Sequence, residues 1–162
     1  MKKIIEKPEN IFFIICLFWG VLFLLINPPF QAPDEDSHLY KIYGITQGSW
    51  NFKKITLNKI NEIDLGKKYT FAGQILPTGL IEATMFNKDI TFNPKEKTDV
   101  NKTLEIAKIK LKKDNAVFVG YPVPVYTPLS YMPAVVLIWL LSLFNAPPLF
   151  MLFAARFSCL FL

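Results

Sequence analysis

Asp34, Glu35, Asp36 and His38 lie within five residues of one another in PPFQAPDEDSHLYKIYGITQG, directly after a hydrophobic run. Side chains three and four apart share a helix face, so a helix opened by Asp34 sets Asp34 and Glu35 beside the His38 imidazole. Carboxylate oxygens suit Mg²⁺ or Mn²⁺, which makes Asp34 and Glu35 candidate ligands for such an ion. A carboxylate or imidazole at a membrane edge also suits the removal of a proton from an acceptor hydroxyl. Asp34, Glu35 and His38 are therefore the candidate catalytic set. The plainer alternative is an acidic first turn favoured by the helix dipole, with His38 capping or pairing.

Two further features could bind a substrate. YPVPVYTPLSYMP, residues 121–133, alternates prolines and tyrosines before an apolar run. Tyr126 and Tyr131 would line a groove for a sugar or a polyprenyl chain, or belong to an interfacial aromatic belt. Arg156 falls inside an apolar segment. Such an arginine faces a cavity or an anionic partner, for which a phosphate is well suited, or reaches back to an interface.

These groups need elements to hold them, and the elements read as membrane helices around a long loop. Residues 11–26, IFFIICLFWGVLFLLI, carry no charge and follow Lys2, Lys3 and Lys7. The run spans about 24 Å at 1.5 Å per residue and extends at both ends. A cleaved signal peptide is the rival reading, but Asn27-Pro28-Pro29-Phe30 lacks a small-x-small cleavage pattern. No charge occurs between Asp114 and Arg156. Prolines break the first part of that region, and a second helix is expected over 128–144. A turn at Asn145-Ala146-Pro147-Pro148 leads to an incomplete third helix over 149–162.

The expected fold class is thus a mainly α-helical membrane protein. It has a cytoplasmic N-terminus over 1–10, helices over 11–27 and 128–144, part of a third, and a mixed α/β external loop over 28–127. The loop holds fourteen lysines against eleven acids, but its length weakens the positive-inside rule and leaves it outside the cell membrane. Within it, residues 34–47 read as a helix opened by Pro33 and closed by Gly48, with Leu39, Ile42, Tyr43 and Thr46 on a face suited to the membrane surface. Residues 52–63 alternate as in short strands, a helix follows Leu76-Pro77, and 95–113 reads as a solvated lysine-rich helix or a partly disordered stretch. Cys16 and Cys159 fall in apolar segments without a metal or redox spacing.

Together, PPFQAPDEDSHLYKIYGITQG, AGQILPTGL and YPVPVYTPLSYMPAVVLIWLLSLFNAPPLFMLFAARF resemble the start of a family of bacterial predicted polytopic membrane proteins, a domain of unknown function similar to the glycosyltransferase C superfold. The shared pattern falls on Pro33, Asp34, Glu35 and His38, on Leu76 and Pro77, on Tyr126, Pro128, Tyr131 and Pro133, and on Arg156. The resemblance implies transfer of a sugar from a polyprenyl-phosphate carrier to a cell-surface glycan or lipid acceptor, with Asp34 as base and Glu35 and His38 supporting it or holding a metal. It also implies that this chain is the N-terminal portion of a longer protein. The alternatives are a non-catalytic membrane protein that binds a partner through its loop and an inactive truncated remnant. The lipid bilayer is a partner on any of these readings. Nucleic acid is not, because the lysines are spread over a loop instead of gathered with aromatics.

Overall fold

The computed structural model describes residues 7–60, 63–86, 95, 97, 99–121 and 126–161. Lys2, Lys3 and the prolines of 122–125 lie outside that set. Helix α1, Pro8–Ile26, has 19 residues and is about 28 Å long. Among the described residues it is the helix long and apolar enough to cross a membrane, and none of its residues is buried.

The remaining elements form one packed body. Helix α2, Glu35–Thr46, closes at Gly48 (φ 78°). The Gly48 amide bonds to the Ile45 carbonyl and that of Ser49 to Gly44. This is the left-handed glycine cap expected after residue 47. Strands β1 (Lys53–Ile60), β2 (Ile63–Pro77) and β3 (Ala116–Gly120) make an antiparallel sheet with β2 in the centre. Strand β2 alternates: Gln74 and Leu76 are buried while Ile75 faces out. Pro77 ends β2 and, lacking an N–H, starts helix α3, Thr78–Met85, without losing a ladder bond inside it. Helix α4, Val100–Lys108, is capped by Asp99, whose carboxylate accepts the Asn101 amide at 2.8 Å.

A 3₁₀ turn, Pro128–Tyr131, leads into α5, Met132–Leu143, and α6, Pro148–Ser158, follows. Asn145 (φ 51°) links them, with bonds from Asn145 N–H to Ser142 O and Ala146 N–H to Leu141 O. These are the two bonds of a Schellman cap. At about 18 and 16 Å, α5 and α6 are shorter than a hydrocarbon core of about 30 Å. Their inner faces are Ala134, Val135 and Ile138 on α5 and Met151, Leu152 and Ala155 on α6, packed into one core with the loop elements.

One expectation changes here. The apolar face of α2 does not lie on a membrane: Leu39, Ile42 and Tyr43 are buried against α5, α6 and β2, because two apolar helices and a sheet are available to cover them. The second and third apolar segments form helices of 12 and 11 residues that pair as a hairpin on that core. Its open end adjoins α1. Arg156 bonds to carbonyls of residues 24–28, and a Cβ at Gly20 would sit 2.8 Å from the Leu160 side chain. Rising numbers on the α6 segment therefore meet falling numbers on α1, so the two run antiparallel.

Lys41 is the costly member of this core. It is 2% exposed, with its ammonium 5.8 Å from the centre of the Phe52 ring. Burial lowers its pKa, because desolvation penalises the charged ammonium. That penalty is complete below the lowered value and disappears as pH rises through 10.5, the ordinary lysine value. Lys41→Met should therefore be more stable than the parent at pH 7, with the gap narrowing at pH 10, as read by denaturant unfolding in detergent. Gly79 brings α3 against the 110–111 backbone, where a Cβ would lie 1.9 Å from the Lys110 carbonyl oxygen. Backbone cannot step aside as a side chain can. Gly79→Ala is expected to lose about 2 kcal/mol or more in the same assay.

Candidate functional site

The site begins where α1 ends. In a helix each carbonyl accepts the amide four residues on, and Pro28 has no N–H for Leu24. Arg156 supplies the missing donor: its Nη1 donates to Leu24 O at 3.1 Å and to Asn27 O at 2.7 Å, and Nη2 donates to Pro28 O at 2.9 Å. The other edge of the guanidinium grips Glu35, Nε to Oε1 at 2.5 Å and Nη2 to Oε2 at 2.9 Å. The two side chains are 11% and 12% exposed, so the pair is largely out of water. One residue of α6 thereby ties down the end of α1 and the first turn of α2.

Between those two ends the chain makes a tight corner. Phe30 (φ 60°) and Asp34 (φ 57°) both adopt left-handed backbone, which is ordinary for Asp and strained for Phe. Asp34 is the N-cap residue of α2. Its carbonyl accepts the His38 amide at 2.9 Å, while its carboxylate makes no capping bond and is exposed.

His38, one turn into α2, is half-buried. Its Nδ1 lies 2.7 Å from the Tyr131 hydroxyl, and the rings of Tyr126 and Tyr131 are centred 5.6 and 5.8 Å from its own. If Nδ1 carries the proton and donates to Tyr131, Nε2 is left with the lone pair of a base. The imidazole and the Glu35–Arg156 pair border a cavity of about 370 Å³ between α2, α5 and α6. Its wall is chiefly apolar, with Leu39, Ile42, Ala134, Leu152 and Ala155.

Four of the six residues singled out from sequence thus line one cavity, Glu35, His38, Tyr131 and Arg156, while Tyr126 meets the His38 ring from outside the lining. Asp34 is adjacent but outside the cavity lining. Two of these residues engage each other. Arg156 meets a carboxylate and three carbonyls of its own chain through Nε, Nη1 and Nη2, the donors that a phosphate would have used. Glu35 has both oxygens engaged by Arg156, and among the described residues no group of three His, Cys, Asp or Glu is placed to hold a metal. Cys159, a thiol of an apolar segment in the sequence, lines the cavity with Ser130. Nothing in the local sequence signals this, because it follows from the α5–α6 packing.

A family model described as predicted membrane protein (DUF2142) matches residues 17–162. The chain belongs to this family. No curated protein and no solved structure matches it. In this DUF2142 chain the Arg156–Glu35 contact joins segments 121 residues apart. Removing one member of a water-poor ion pair leaves the other uncompensated, at a cost of about 3–5 kcal/mol. Arg156→Met should approach that loss. Glu35→Gln should lose less, because Arg156 keeps its three carbonyl acceptors. Denaturant unfolding of the detergent-solubilised chain checks this order, and equal losses would mean that the carbonyl contacts contribute little.

Proposed function

We propose that this DUF2142 chain contributes to a membrane glycosyltransferase that uses a polyprenyl-phosphate sugar, with the 28–127 segment on the outer side of the membrane. The supporting observation is the cavity. It has an apolar wall suited to a prenyl or lipid portion of a substrate, a base-competent imidazole at its border, and a position beside the end of a membrane-length helix. In this reading His38 Nε2 takes the proton of an acceptor hydroxyl. The acceptor oxygen then bonds to the anomeric carbon, and the bond from that carbon to the carrier phosphate oxygen breaks, with the electron pair leaving on the phosphate. Asp34, exposed one turn before His38, supports the imidazolium or takes the proton itself. Tyr131 fixes the ring tautomer and Tyr126 offers a face for a sugar. Arg156 and Glu35 act as positioning residues, and the reading calls on neither to bind phosphate. Mg²⁺ or Mn²⁺ has no assigned step.

The test is made in cells that carry the gene. Deletion should alter a surface glycan or glycolipid, and reintroduction of the unaltered gene should restore it. His38→Gln should leave the glycan unrestored at an unchanged membrane level of the protein, while Tyr131→Phe should restore it partly. A general-base contribution is typically 10²–10⁴-fold. If deletion leaves surface glycans unaltered, or if His38→Gln together with Asp34→Asn restores them fully, the transferase reading is wrong.

A further inference from the structure

The far end of the α5–α6 hairpin combines two features that the cavity does not use. One is a basic cleft of about 760 Å³ lined by Lys108, Lys110, Lys112 and Lys113, with Asp114 the acid among its lining residues, against Asn145 and Pro147 of the hairpin turn. Lys113 donates through Nζ to the Ser142 carbonyl, which ties the basic segment to the end of α5. Lys112 pairs with Glu82 at 2.5 Å. The lysines are exposed and outnumber their acidic neighbours.

The other feature is an apolar outer face. Phe144 at the turn is 82% exposed, and Leu143 and Phe150 are also exposed. That face is continuous with α1 through a groove of about 490 Å³ in which Leu24 and Leu25 of α1 meet Leu137 and Leu140 of α5 and Phe153 and Phe157 of α6. An apolar face bordered by lysines is the pattern of an element lying in a membrane interface, where acyl chains cover the apolar side and anionic headgroups meet the cations.

We propose that the outer face of the α5–α6 hairpin lies in the same leaflet that receives the end of α1, and that the Lys108–Lys113 cleft binds the phosphate of an anionic phospholipid headgroup. The continuity of the groove with α1 argues for lipid as the occupant of the apolar face, and the charge of the cleft argues for anionic lipid. This inference needs a membrane protein but not a transferase, so it stands or falls apart from the proposed reaction.

Native mass spectrometry of the full chain released from detergent tests it, with phosphatidylglycerol and phosphatidylcholine offered at equal concentration. The unaltered chain should retain phosphatidylglycerol preferentially, and the preference should fall as salt is raised. The double variant Lys108→Gln, Lys110→Gln keeps the Glu82 and Ser142 contacts and should lower the preference about tenfold, at an unchanged circular dichroism spectrum. Absence of a preference, its persistence at high salt, or an undiminished preference in a folded double variant would overturn the proposal. Complete displacement by millimolar inorganic phosphate would also overturn it, since the cleft would then be a site for free phosphate.

Discussion

A single guanidinium sets the arrangement of this chain. Pro28 ends α1 without an amide for the Leu24 carbonyl, and the first turn of α2 presents a carboxylate in largely water-poor surroundings. Each is unfavourable alone, since an unpaired carbonyl and an unpaired carboxylate are both costly away from water. Arg156 satisfies both with one planar fork, at the point where α1 meets the folded body. Lysine offers the charge without that geometry. Because the arginine belongs to α6, its contacts also decide which way the α5–α6 hairpin lies relative to α1.

From that anchoring the cavity follows. With α6 held beside Glu35, its Leu152 and Ala155 face Leu39 and Ile42 of α2, and α5 closes the other side with Ala134. His38 then meets Tyr131, which enters from the 3₁₀ turn before α5. The polar chemistry is thus carried on the first two turns of one helix and on the entry to another. Both are regular elements seated on a common core, which fixes side chains more firmly than loops do. The strained backbone at Phe30 is confined to the corner between α1 and α2, where the chain must turn within a few residues.

Much of the local structure was legible in the residues. Pro33, the acids after it and Gly48 bound α2 to within a residue, and Asn145 before two prolines marks the hairpin turn. Leu76-Pro77 marks the change from strand to helix. The sheet was half seen. Strand β1 falls where alternation was noted, but β2 opens with IDLGKKY and β3 is short, so neither carries a clear period-two signal. Burial is less legible than the elements themselves. Leu39, Ile42 and Tyr43 give an amphipathic stripe that a bilayer or a protein core can cover equally well, and only the tertiary packing decides between them. The same holds for α5 and α6, whose apolar composition suits a membrane while their lengths and inner faces suit a core. Arg156 stands out in its apolar segment but its partner does not, because the pairing with Glu35 spans 121 residues, beyond any local pattern.

The anchoring role of Arg156 is tested most directly by proximity between α1 and the end of α6 in native membranes. Gly20→Cys and Leu160→Cys, with Cys16 and Cys159 replaced by serine, would be treated with a short thiol-to-thiol crosslinker. An intramolecular crosslink is expected to form readily with Arg156 present and to be largely lost with Arg156→Met. A pair that fails to crosslink with Arg156 in place, or that crosslinks equally well without it, would contradict the central role given to this residue.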